Sequence, residues 1–479
     1  MEDIKNLFAT YSNEPIVRIE TIPQSGGDRV YFRLITAAGP YIATRNNNLK
    51  ENEAFIYFSH HFKNAGCPVP AILAVNEQRS LYLQQDVGNT SLLNMLEAEG
   101  HTEHVFALFK KSLLALANLQ VNGDTSLDYT FCITSAIFGK QAILSDLLYF
   151  KYYFLDTLKI PYDKEKLVSE FEALSTYLAN ANHKYFMFRD FQSRNIMVKD
   201  DAVNFIDYQG GMKGAVQYDV ASLLWQAKAE LSDEWKTKLL QYYIDCLQNI
   251  LQQPIDKASF ESEYNGYVLI RLLQVLGAYG FRGLFERKAH FLTSIPLALQ
   301  NLEWFINNKK IGIGLPEFEK LLSQIVDEEI VKRFEPIRAG KETALLVKVN
   351  SFSFIKSGYP KDETANGGGF VFDCRGILNP GRIEAYKKLT GRDKPVKDYL
   401  EQETKMPEFL SNIYNLVDIS VEDYIARGFE SLVLNFGCTG GQHRSVYAAD
   451  AVARHVRNKY GVKVSTNHIE QKITEKKGY

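Results

Sequence analysis

The sequence predicts two domains of different fold class, an α+β domain of two lobes over residues 1–335 and a smaller α/β domain over 344–479. The length of 479 residues exceeds one typical hydrophobic core, so at least two domains are expected. Short strand-like runs open the chain, and long helical runs follow them. A short polar segment with Pro336 and Gly340 then precedes a regular alternation of strands and helices, so we place a linker at 336–343.

The first domain divides into a small β lobe at 1–90 and a helical lobe at 91–335. Runs rich in β-branched and aromatic residues predict strands around one helical segment near 51–65, and they lie at 30–35, 41–44 and 80–84. Leu, Tyr and Phe at helical spacing then fill 102–180 and 219–332.

In the second domain the hydrophobic period changes repeatedly between that of a strand and that of a helix. The predicted strands lie at 344–354, 369–374, 430–436 and 461–466. The predicted helices lie at 382–390, 407–427 and 443–459. This alternation is typical of an α/β domain.

Charge and cysteine content exclude several classes of protein. The 55 Lys and Arg against 57 Asp and Glu give a net charge of −2, which provides no overall attraction to nucleic acid or an anionic membrane. The five cysteines form no C-x2-C pair, which argues against a disulfide framework and a structural zinc site. Neither a basic and apolar leader nor a run of 18 apolar residues occurs. We therefore expect a cytoplasmic protein without membrane contact.

The most informative motif is Asp190, followed by Asn195 five residues later and by Asp207 twelve residues beyond that. This spacing is that of kinase catalytic centres. There one carboxylate orients the attacking hydroxyl and accepts its proton, while the Asn and the second Asp hold Mg²⁺. Apolar runs at 196–198 and 203–206 predict a hairpin that brings Asn195 and Asp207 together. The alternative is a chance cluster of polar residues in a hairpin.

Several further motifs connect the first domain to a known group of enzymes. They lie at 27–34, 66–70, 188–195, 206–209 and 218–224. Together they resemble a kinase of the aminoglycoside phosphotransferase superfamily, closest to the anomeric kinases of N-acetylmuramate or N-acetylglucosamine in cell-wall sugar recycling. The resemblance implies a protein-kinase-like bilobal fold, ATP and Mg²⁺ as cofactors, and an amino-sugar substrate.

The nucleotide contacts are expected in the small lobe. Glycines before a strand let backbone N–H groups approach phosphate, although a simple turn is the alternative. Kinases place a Lys on the strand before the small-lobe helix to pair with a helix Glu. Here only Arg45 and Glu53 are available, with a solvated Arg45 as the alternative. The segment after the last strand would face adenine with its backbone. The predicted cofactor-binding residues are Ser25, Gly26, Gly27, Asp28, Arg45, Glu53, Gln85 and Asp86.

Three residues outside the motif bear on activity. The superfamily commonly has His two residues before the catalytic Asp, but this chain has Phe188, whose ring could pack in the place of that scaffold residue. Asp219 resembles the Asp that caps the next helix and braces the catalytic loop. Asp146, on an aromatic helix, is a candidate contact for the acceptor. With all three motif residues present, an active enzyme is favoured over a degenerate kinase.

The second domain carries another strong signal, a strand that runs into a Gly-rich loop and a helix at Cys438–Ser445. Loop N–H groups and the helix N-terminus favour an anion, and Arg444 adds a fork that suits phosphate. The C-x5-R-S spacing also occurs in cysteine-dependent phosphatases, but those generally have His where this chain has Gly437. A tight turn with a buried Cys is the remaining alternative.

Motifs at 370–375, 379–382, 390–393 and 435–446 resemble the C-terminal domain of the RNase adapter protein RapZ. The resemblance implies a phosphosugar ligand and a link to RNA, and it makes ligand-site candidates of Asp373, Arg375, Asn379, Cys438, Thr439, Gly440, Gly441, Gln442, His443, Arg444 and Ser445. The P-loop domain of RapZ is missing, since no G-x4-G-K-[ST] occurs. Basic residues permit an RNA surface, with a solvated face as the alternative.

These observations predict an ATP- and Mg²⁺-dependent kinase of an amino sugar, fused to a phosphosugar-binding domain. The competing hypothesis is a regulatory adapter that binds RNA or protein and carries a degenerate kinase domain.

Overall fold

The computed structural model describes residues 1–22, 29–286, 289–292, 294–335, 337–361 and 369–477. The chain divides into two compact units. One consists of Met1–Phe285 with Ser294–Arg333, and the other of Glu286–Thr293 with Phe334–Tyr479. The first unit has the protein-kinase-like fold of two lobes, and the second contains a mixed sheet with helices. The predicted fold class is confirmed.

The small lobe is a five-stranded antiparallel sheet with two helices. Its strands are ordered β1-β2-β3-β5-β4 and span β1 (Arg18–Ile22), β2 (Val30–Ile35), β3 (Pro40–Arg45), β4 (Ile72–Val75) and β5 (Leu81–Gln85). The helices are α1 (Glu2–Tyr11) and α2 (Leu49–Asn64). Helix α2 begins after Asn48, whose side chain accepts a hydrogen bond from the N–H of Glu51.

The two faces of this sheet have different neighbours. Phe32, Leu34 and Ala43 lie on an outer face that packs against apolar residues of α1. Because successive residues of a strand point to opposite faces, Thr44 lies on the inner face. On the inner side the Tyr82 ring stacks on Phe55 of α2 with centroids 5.4 Å apart. The inner face therefore looks toward α2 and the helical lobe.

The helical lobe contains the helices α3 to α9 and α11 to α13. Their bounds are α3 (Leu92–Glu99), α4 (Glu103–Asp124), α5 (Lys140–Tyr153), α6 (Lys164–Ala179), α7 (Gln217–Leu224), α8 (Asp233–Leu251), α9 (Lys257–Tyr279), α11 (Ile295–Asn308), α12 (Pro316–Ile325) and α13 (Glu328–Lys332). The lobe also contains two strand pairs, β6 (Lys184–Met187) with β9 (Met212–Ala215) and β7 (Ile196–Lys199) with β8 (Ala202–Phe205).

Helix α9 forms the centre of this lobe. The helical stretch Lys257–Phe285 is long and apolar enough to cross a membrane by length and composition, and 56% of its apolar window is buried inside the protein, as in a core helix. Its end approaches α5 closely. A Cβ at Gly280 would lie 2.2 Å from the backbone oxygen of Tyr153, so only glycine fits there.

The second unit is built on a five-stranded mixed sheet of order β11-β12-β10-β13-β14. Its strands are β10 (Leu346–Ser353), β11 (Gly369–Asp373), β12 (Ser431–Cys438), β13 (Lys463–His468) and β14 (Ile473–Lys477), of which only β14 pairs antiparallel. Its helices are α10 (Ala289–Leu292), α14 (Lys394–Gln402), α15 (Met406–Arg427) and α16 (Arg444–Tyr460). Strand β12 leads directly into the loop before α16.

The four predicted strands and the two longer predicted helices of this unit are confirmed. The helix predicted at 382–390 is wrong, because short 3-10 turns at Pro380–Arg382 and Glu384–Tyr386 occupy that stretch. Asn379 starts the first turn, since its Oδ1 accepts the N–H of Gly381 over 3.1 Å. Local turn bonds of this kind compete with helix formation.

Candidate functional site

The hairpin predicted between the two motif halves is present. Strands β7 and β8 pair antiparallel with Ile196 opposite Phe205. At its open end the N–H of Ile206 donates to the backbone oxygen of Asn195 over 3.0 Å. This bond holds Asn195 beside the residue that precedes Asp207, whose φ of +72° turns the chain sharply. The structure therefore brings these two motif residues together.

Asp190 lies at the same end of the hairpin, surrounded by hydrogen-bond donors. Its Oδ1 accepts from Nε2 of Gln192 at 2.5 Å and from Nη2 of Arg271 at 3.2 Å, and its Oδ2 from Nη2 of Arg194 at 3.2 Å. Burial acts to raise the pKa of Asp190, but Arg271 and Arg194 outweigh it, and the pKa lies below its ordinary value. The carboxylate is therefore ionised at neutral pH.

Asn195 and Asp207 offer the oxygen ligands that Mg²⁺ prefers. The Nδ2 of Asn195 donates to the backbone oxygen of Asp190 over 2.9 Å, which leaves its Oδ1 as a ligand. The Asp207 side chain is 40% exposed, and its Oδ1 accepts from Nε2 of Gln209 at 2.8 Å. Among the described residues no cluster of three or more His, Cys, Asp or Glu could hold a metal alone. A Mg²⁺ ion here would therefore need oxygen ligands besides those of Asn195 and Asp207.

Phe188 and Asp219 form the support beneath Asp190. The Phe188 ring is fully buried, with centroids 5.2 Å from Phe191 and 6.0 Å from Tyr208. The packing predicted for this ring is confirmed. Asp219 does not cap α7, because the N-cap residue is Val216 and Asp219 lies inside the first turn. Its carboxylate instead accepts loop N–H groups, and burial raises its pKa to about 7.

Asp146 is part of the same loop support. Its Oδ1 accepts from Nη2 of Arg189 at 2.8 Å, and Nη1 of that arginine donates to the hydroxyl of Tyr218 at 2.8 Å. Arg189 itself has a φ of +77°, a conformation that costs energy in a non-glycine residue. The side chain of Asp146 thus holds a strained residue directly beside Asp190.

The segment after β5 is tightly fixed. Asp86 is buried, and its carboxylate accepts from Nε of Arg33 at 2.6 Å and from the N–H of Gly88 at 2.8 Å. The backbone N–H of Gln85 donates to the oxygen of Ala71 over 2.9 Å, at the end of the sheet. Asp86 therefore shapes this segment through its side chain, which leaves backbone groups as the candidates for contact with a base.

In the second unit the Cys438 loop, residues 438–443 from the end of β12 to the start of α16, is held by hydrogen bonds and close contacts. The Cys438 thiol is buried, and its sulfur accepts from the N–H of Gly441 at 3.2 Å and lies 3.1 Å from Oγ of Ser445. Gly441 has a φ of +64°, and a Cβ there would lie 2.4 Å from Cγ of Glu470. Ser353 Oγ donates to the oxygen of Thr439 over 2.6 Å. Several short contacts thus fix the loop ahead of α16.

Three predicted ligand residues of this loop are used to hold the protein together. Arg444 is buried, and its Nη1 donates to the backbone oxygens of Arg375 at 3.1 Å and Ile377 at 2.7 Å. Nε2 of Gln442 donates to the oxygen of Leu389 at 2.7 Å, and the His443 ring lies 2.9 Å from the oxygen of Tyr386. One nitrogen of the guanidinium predicted to bind phosphate is therefore used by carbonyl groups, and its Nη2 lies 3.4 Å from Oγ1 of Thr439.

Other residues predicted for the ligand site of the second unit are more exposed than Arg444 and His443. Thr439 is exposed, and a Cβ at Gly440 would meet open space. The Arg375 guanidinium pairs with Asp373 at 2.6 Å, lies 4.2 Å over the Phe354 ring, and is 51% exposed. Of the predicted set, the exposed Thr439 and Arg375 have side-chain donors that can contact an anion, and the half-buried Gly440 offers backbone groups.

Comparisons with known proteins decide the family of each part. The phosphotransferase enzyme family matches residues 18–251, and the RapZ C-terminal domain matches residues 345–472. The chain joins a phosphotransferase domain to a RapZ C-terminal domain. The resemblance of the first domain to the phosphotransferase superfamily and that of the second to the RapZ C-terminal domain are confirmed.

The curated relatives align over part of the chain. A nucleotide-binding protein of Fervidobacterium nodosum is 37% identical over 202 residues, which is 39% of this chain and 67% of that protein. One of Fusobacterium nucleatum is 31% identical over 191 residues, 38% of this chain and 61% of that protein. The chain spans between 41% and 67% of the length of these and similar relatives.

Two solved kinases are among the structures that this chain is similar to. A choline/ethanolamine kinase family protein from Mesorhizobium loti is 13% identical with a TM-score of 0.43, and it covers 68% of this chain and 99% of its own. The amicoumacin kinase hAmiN, in complex with AMP-PNP, Ca²⁺ and Ami, is 10% identical with a TM-score of 0.44, covering 70% of this chain and 95% of its own.

The nucleotide side of the phosphotransferase domain differs from the sequence prediction. Residues 25–28 lie outside the described part of the chain, so the predicted contacts of Ser25, Gly26, Gly27 and Asp28 remain predictions. Arg45 shares the outer sheet face with Phe32, whose ring lies 5.4 Å from its guanidinium, and its Nη2 lies 2.5 Å from Oδ2 of Asp3. Glu53 is exposed on α2. The structure does not bring Arg45 and Glu53 together, because strand alternation turns Arg45 away from the inner face.

An ion pair that was not predicted from the sequence, Arg29 with Glu51, lies at the inner face of the small-lobe sheet. Arg29, directly before β2, is 7% exposed, and its Nη2 donates to Oε1 of Glu51 on α2 at 2.7 Å. Its Nη1 lies 3.6 Å from Oδ1 of Asp207. Glu51 and Phe55 are four residues apart and so share one helix face. The four-residue spacing could have identified Glu51 from the sequence. Phe55 is apolar and buried, so it marks the inward face of α2, whereas Glu53 is exposed.

Proposed function

We propose that this chain is an ATP- and Mg²⁺-dependent kinase that phosphorylates a hydroxyl group of an amino sugar, of the N-acetylmuramate or N-acetylglucosamine type. One observation carries the proposal. The β7–β8 hairpin gathers Asp190, Asn195 and Asp207, and these three residue types together provide a proton acceptor and two metal ligands. The kind of sugar rests on the motif resemblance of the phosphotransferase domain.

The residues have distinct tasks in this reaction. Asp190 orients the acceptor hydroxyl and takes its proton as the acceptor oxygen bonds to the γ-phosphorus. The bond between that phosphorus and the β-phosphate oxygen breaks, and ADP is released. Asn195 and Asp207 would hold Mg²⁺, which supplies charge neutralisation for the phosphates. Arg194, whose side chain is 57% exposed beside Asp190, can contact the transferred group.

Support from below keeps Asp190 in position. Asp219 fixes the backbone of Phe188 and Arg189, while Asp146 fixes the Arg189 side chain. Phosphoryl transfer depends mainly on positioning and electrostatics, so a rigid loop contributes directly to rate. The apolar ring of Phe188 is compatible with this task because backbone bonds, and no bond from its side chain, hold the loop.

We further propose that the RapZ C-terminal domain binds a sugar phosphate at the Cys438 loop. Backbone N–H groups at the start of α16, the Thr439 hydroxyl and the exposed Arg375 guanidinium supply donors for an anion. The proposed domain limits are 1–335 and 344–479, with a linker at 336–343. Five buried free cysteines are compatible with a cytoplasmic location.

A regulatory adapter with a degenerate kinase domain is the alternative. The observation that favours it is that β3, the strand before α2, contains no lysine and has a buried Thr44 on its inner face. In that case the partner of the second domain would be RNA or protein.

The deciding experiment measures ADP release by the purified full chain with Mg²⁺ and ATP over a panel of amino sugars. Phosphorus NMR identifies the product, and we expect an acid-labile phosphate on the anomeric carbon of an N-acetylated amino sugar. Aminoglycosides, choline and glucose serve as matched acceptors. Turnover confined to those acceptors would contradict the amino-sugar proposal, and no turnover with any acceptor would favour the adapter.

A further inference from the structure

The inner face of the small-lobe sheet carries a buried arginine, Arg29, directly before β2. Strand β3 contains no lysine, and Thr44, which pairs with Tyr31 of β2 in the sheet register, places a small hydroxyl side chain on its inner face. Arg29 lies one strand away and two residues earlier in the register. Its guanidinium reaches the space between α2 and Asp207. A positive charge from the residue directly before β2 therefore lies between the inner face of the sheet, α2 and Asp207.

We propose that Arg29, anchored by Glu51, is the residue that binds the phosphates of the nucleotide, and that it replaces the third-strand lysine of other kinases. This inference rests on the proposed function and deepens it. It assigns the phosphate contact to a residue that precedes β2 and excludes Arg45 from that task.

The geometry of the pair suits this role. The two Nη atoms of Arg29 point to different partners, Nη2 to Glu51 at 2.7 Å and Nη1 toward Asp207 at 3.6 Å. A guanidinium is a planar fork that can keep one acceptor while it contacts a phosphate with its other nitrogen. Asp207 is also the proposed metal ligand, so Arg29 stands directly beside the place where phosphate oxygens and Mg²⁺ must meet.

Glu51 is itself held in place. Its Oε2 accepts from Nδ2 of Asn46 at 2.9 Å, and its backbone N–H donates to Oδ1 of Asn48 at the start of α2. The Arg29 guanidinium also lies 5.6 Å over the Phe55 ring and 3.4 Å from the Tyr31 hydroxyl. A buried charge is costly unless it is paired, and this set of contacts keeps Arg29 charged and fixed before any nucleotide binds.

The test measures equilibrium binding of ATP, ADP and adenosine to the full chain by calorimetry with Mg²⁺ present. Arg29→Ala should weaken ATP and ADP binding by roughly 10- to 100-fold, the effect of losing a hydrogen bond to a charged group, and leave adenosine unchanged. Glu51→Gln, which removes the anchoring charge and keeps the shape, should weaken ATP binding less. Arg45→Ala is the matched control on the outer face and should bind all three ligands as the wild type does.

Kinetics separate a phosphate contact from a general loss of structure. Arg29→Ala should raise the KM for ATP while the KM for the acceptor stays constant. If Arg29→Ala does not fold, Arg29→Lys takes its place, and partial retention of ATP affinity with full adenosine affinity is expected. Equal ATP affinity in wild type and the Arg29 variants, or an equal loss of adenosine binding, would overturn the inference. A wild-type chain that binds adenosine but neither ATP nor ADP would overturn it together with the proposed function.

Discussion

The backbone N–H of Phe188 donates to Oδ2 of Asp219 over 2.8 Å, so a carboxylate on α7 holds the loop that carries Asp190. The N–H of Arg189 donates to the other oxygen at 3.0 Å, and Nε2 of Gln120 donates to Oδ2 at 2.9 Å. These donors fix the loop through its backbone. An apolar ring can therefore stand at 188 without loss of the loop conformation.

The Asp219 carboxyl should make stability depend on pH. Burial raises its pKa to about 7 from an ordinary 3.8, although loop N–H groups and Arg271 act in the opposite direction. A raised folded-state pKa gives stability that is fully present below the unfolded pKa of 3.8, is lost as the pH rises from there through 7, and levels off above that. Between pH 6 and 8 the wild type should lose about 1 kcal/mol of unfolding free energy from this group. Urea unfolding across that range measures the loss.

Asp219→Asn removes the titrating group and provides the comparison. Its unfolding free energy should be lower at all pH values, because the amide accepts fewer hydrogen bonds, and it should lack this pH-dependent component. Asp245→Asn, at an exposed position on α8, controls for loss of an ordinary carboxylate. Parallel pH profiles for wild type and Asp219→Asn would contradict the assignment.

Substitution of Phe188 tests whether its ring is a scaffold. Phe188→His would place a polar imidazole among Phe191, Phe205 and Tyr208, and burial of a polar group without a partner costs roughly 1–3 kcal/mol. Phe188→Leu keeps the site apolar and should cost less than Phe188→His. Thermal and urea unfolding measure both variants. A stabilised and more active Phe188→His would show that the chain lacks a functional histidine there.

The motif residues give the direct test of catalysis. Asp190→Asn is isosteric and should keep the fold while turnover falls roughly 10²- to 10⁴-fold, the usual contribution of a general base. Asp207→Ala should abolish activity and its dependence on Mg²⁺. The matched control is Asp233→Asn, an exposed carboxylate in the first turn of α8. Wild-type turnover in Asp190→Asn would remove Asp190 from the mechanism.

The sequence predicted the parts of the site that depend on local spacing. Asn195 and Asp207 flank one short hairpin, and Asp190 lies five residues before Asn195, so local spacing brings the three together. Arg45 and Glu53 were misplaced because an offset of one or two residues changes the face of a strand or helix. Strand β14 was missed because Ile473–Lys477 is a polar edge strand without a clear apolar alternation.

The residues around Cys438 were predicted from a motif, yet their individual roles depend on tertiary contacts. The spacing of Arg444 is the same whether its guanidinium faces a phosphate or two carbonyl oxygens, and only the packed turn at 375–377 decides between them. The exposure of Arg375 likewise depends on its ion pair with Asp373 and its contact with Phe354.

The last prediction is that the Cys438 loop binds a sugar phosphate without covalent chemistry. Arg375 offers an exposed guanidinium, so Arg375→Ala should weaken binding of glucosamine 6-phosphate by about 1.5–3 kcal/mol, the range for a hydrogen bond to a charged group. Arg444→Ala should weaken it as well but also lower the melting temperature, because it releases the backbone oxygens of Arg375 and Ile377. Cys438→Ser should change binding little, since a hydroxyl can take over the hydrogen bonds that the buried sulfur makes with Gly441 and Ser445. Calorimetry with glucosamine 6-phosphate measures binding, with Arg427→Ala on α15 as the control. Hydrolysis of an aryl phosphate by the wild type that disappears in Cys438→Ser would show that the thiol attacks phosphorus and would replace the binding proposal with a phosphatase.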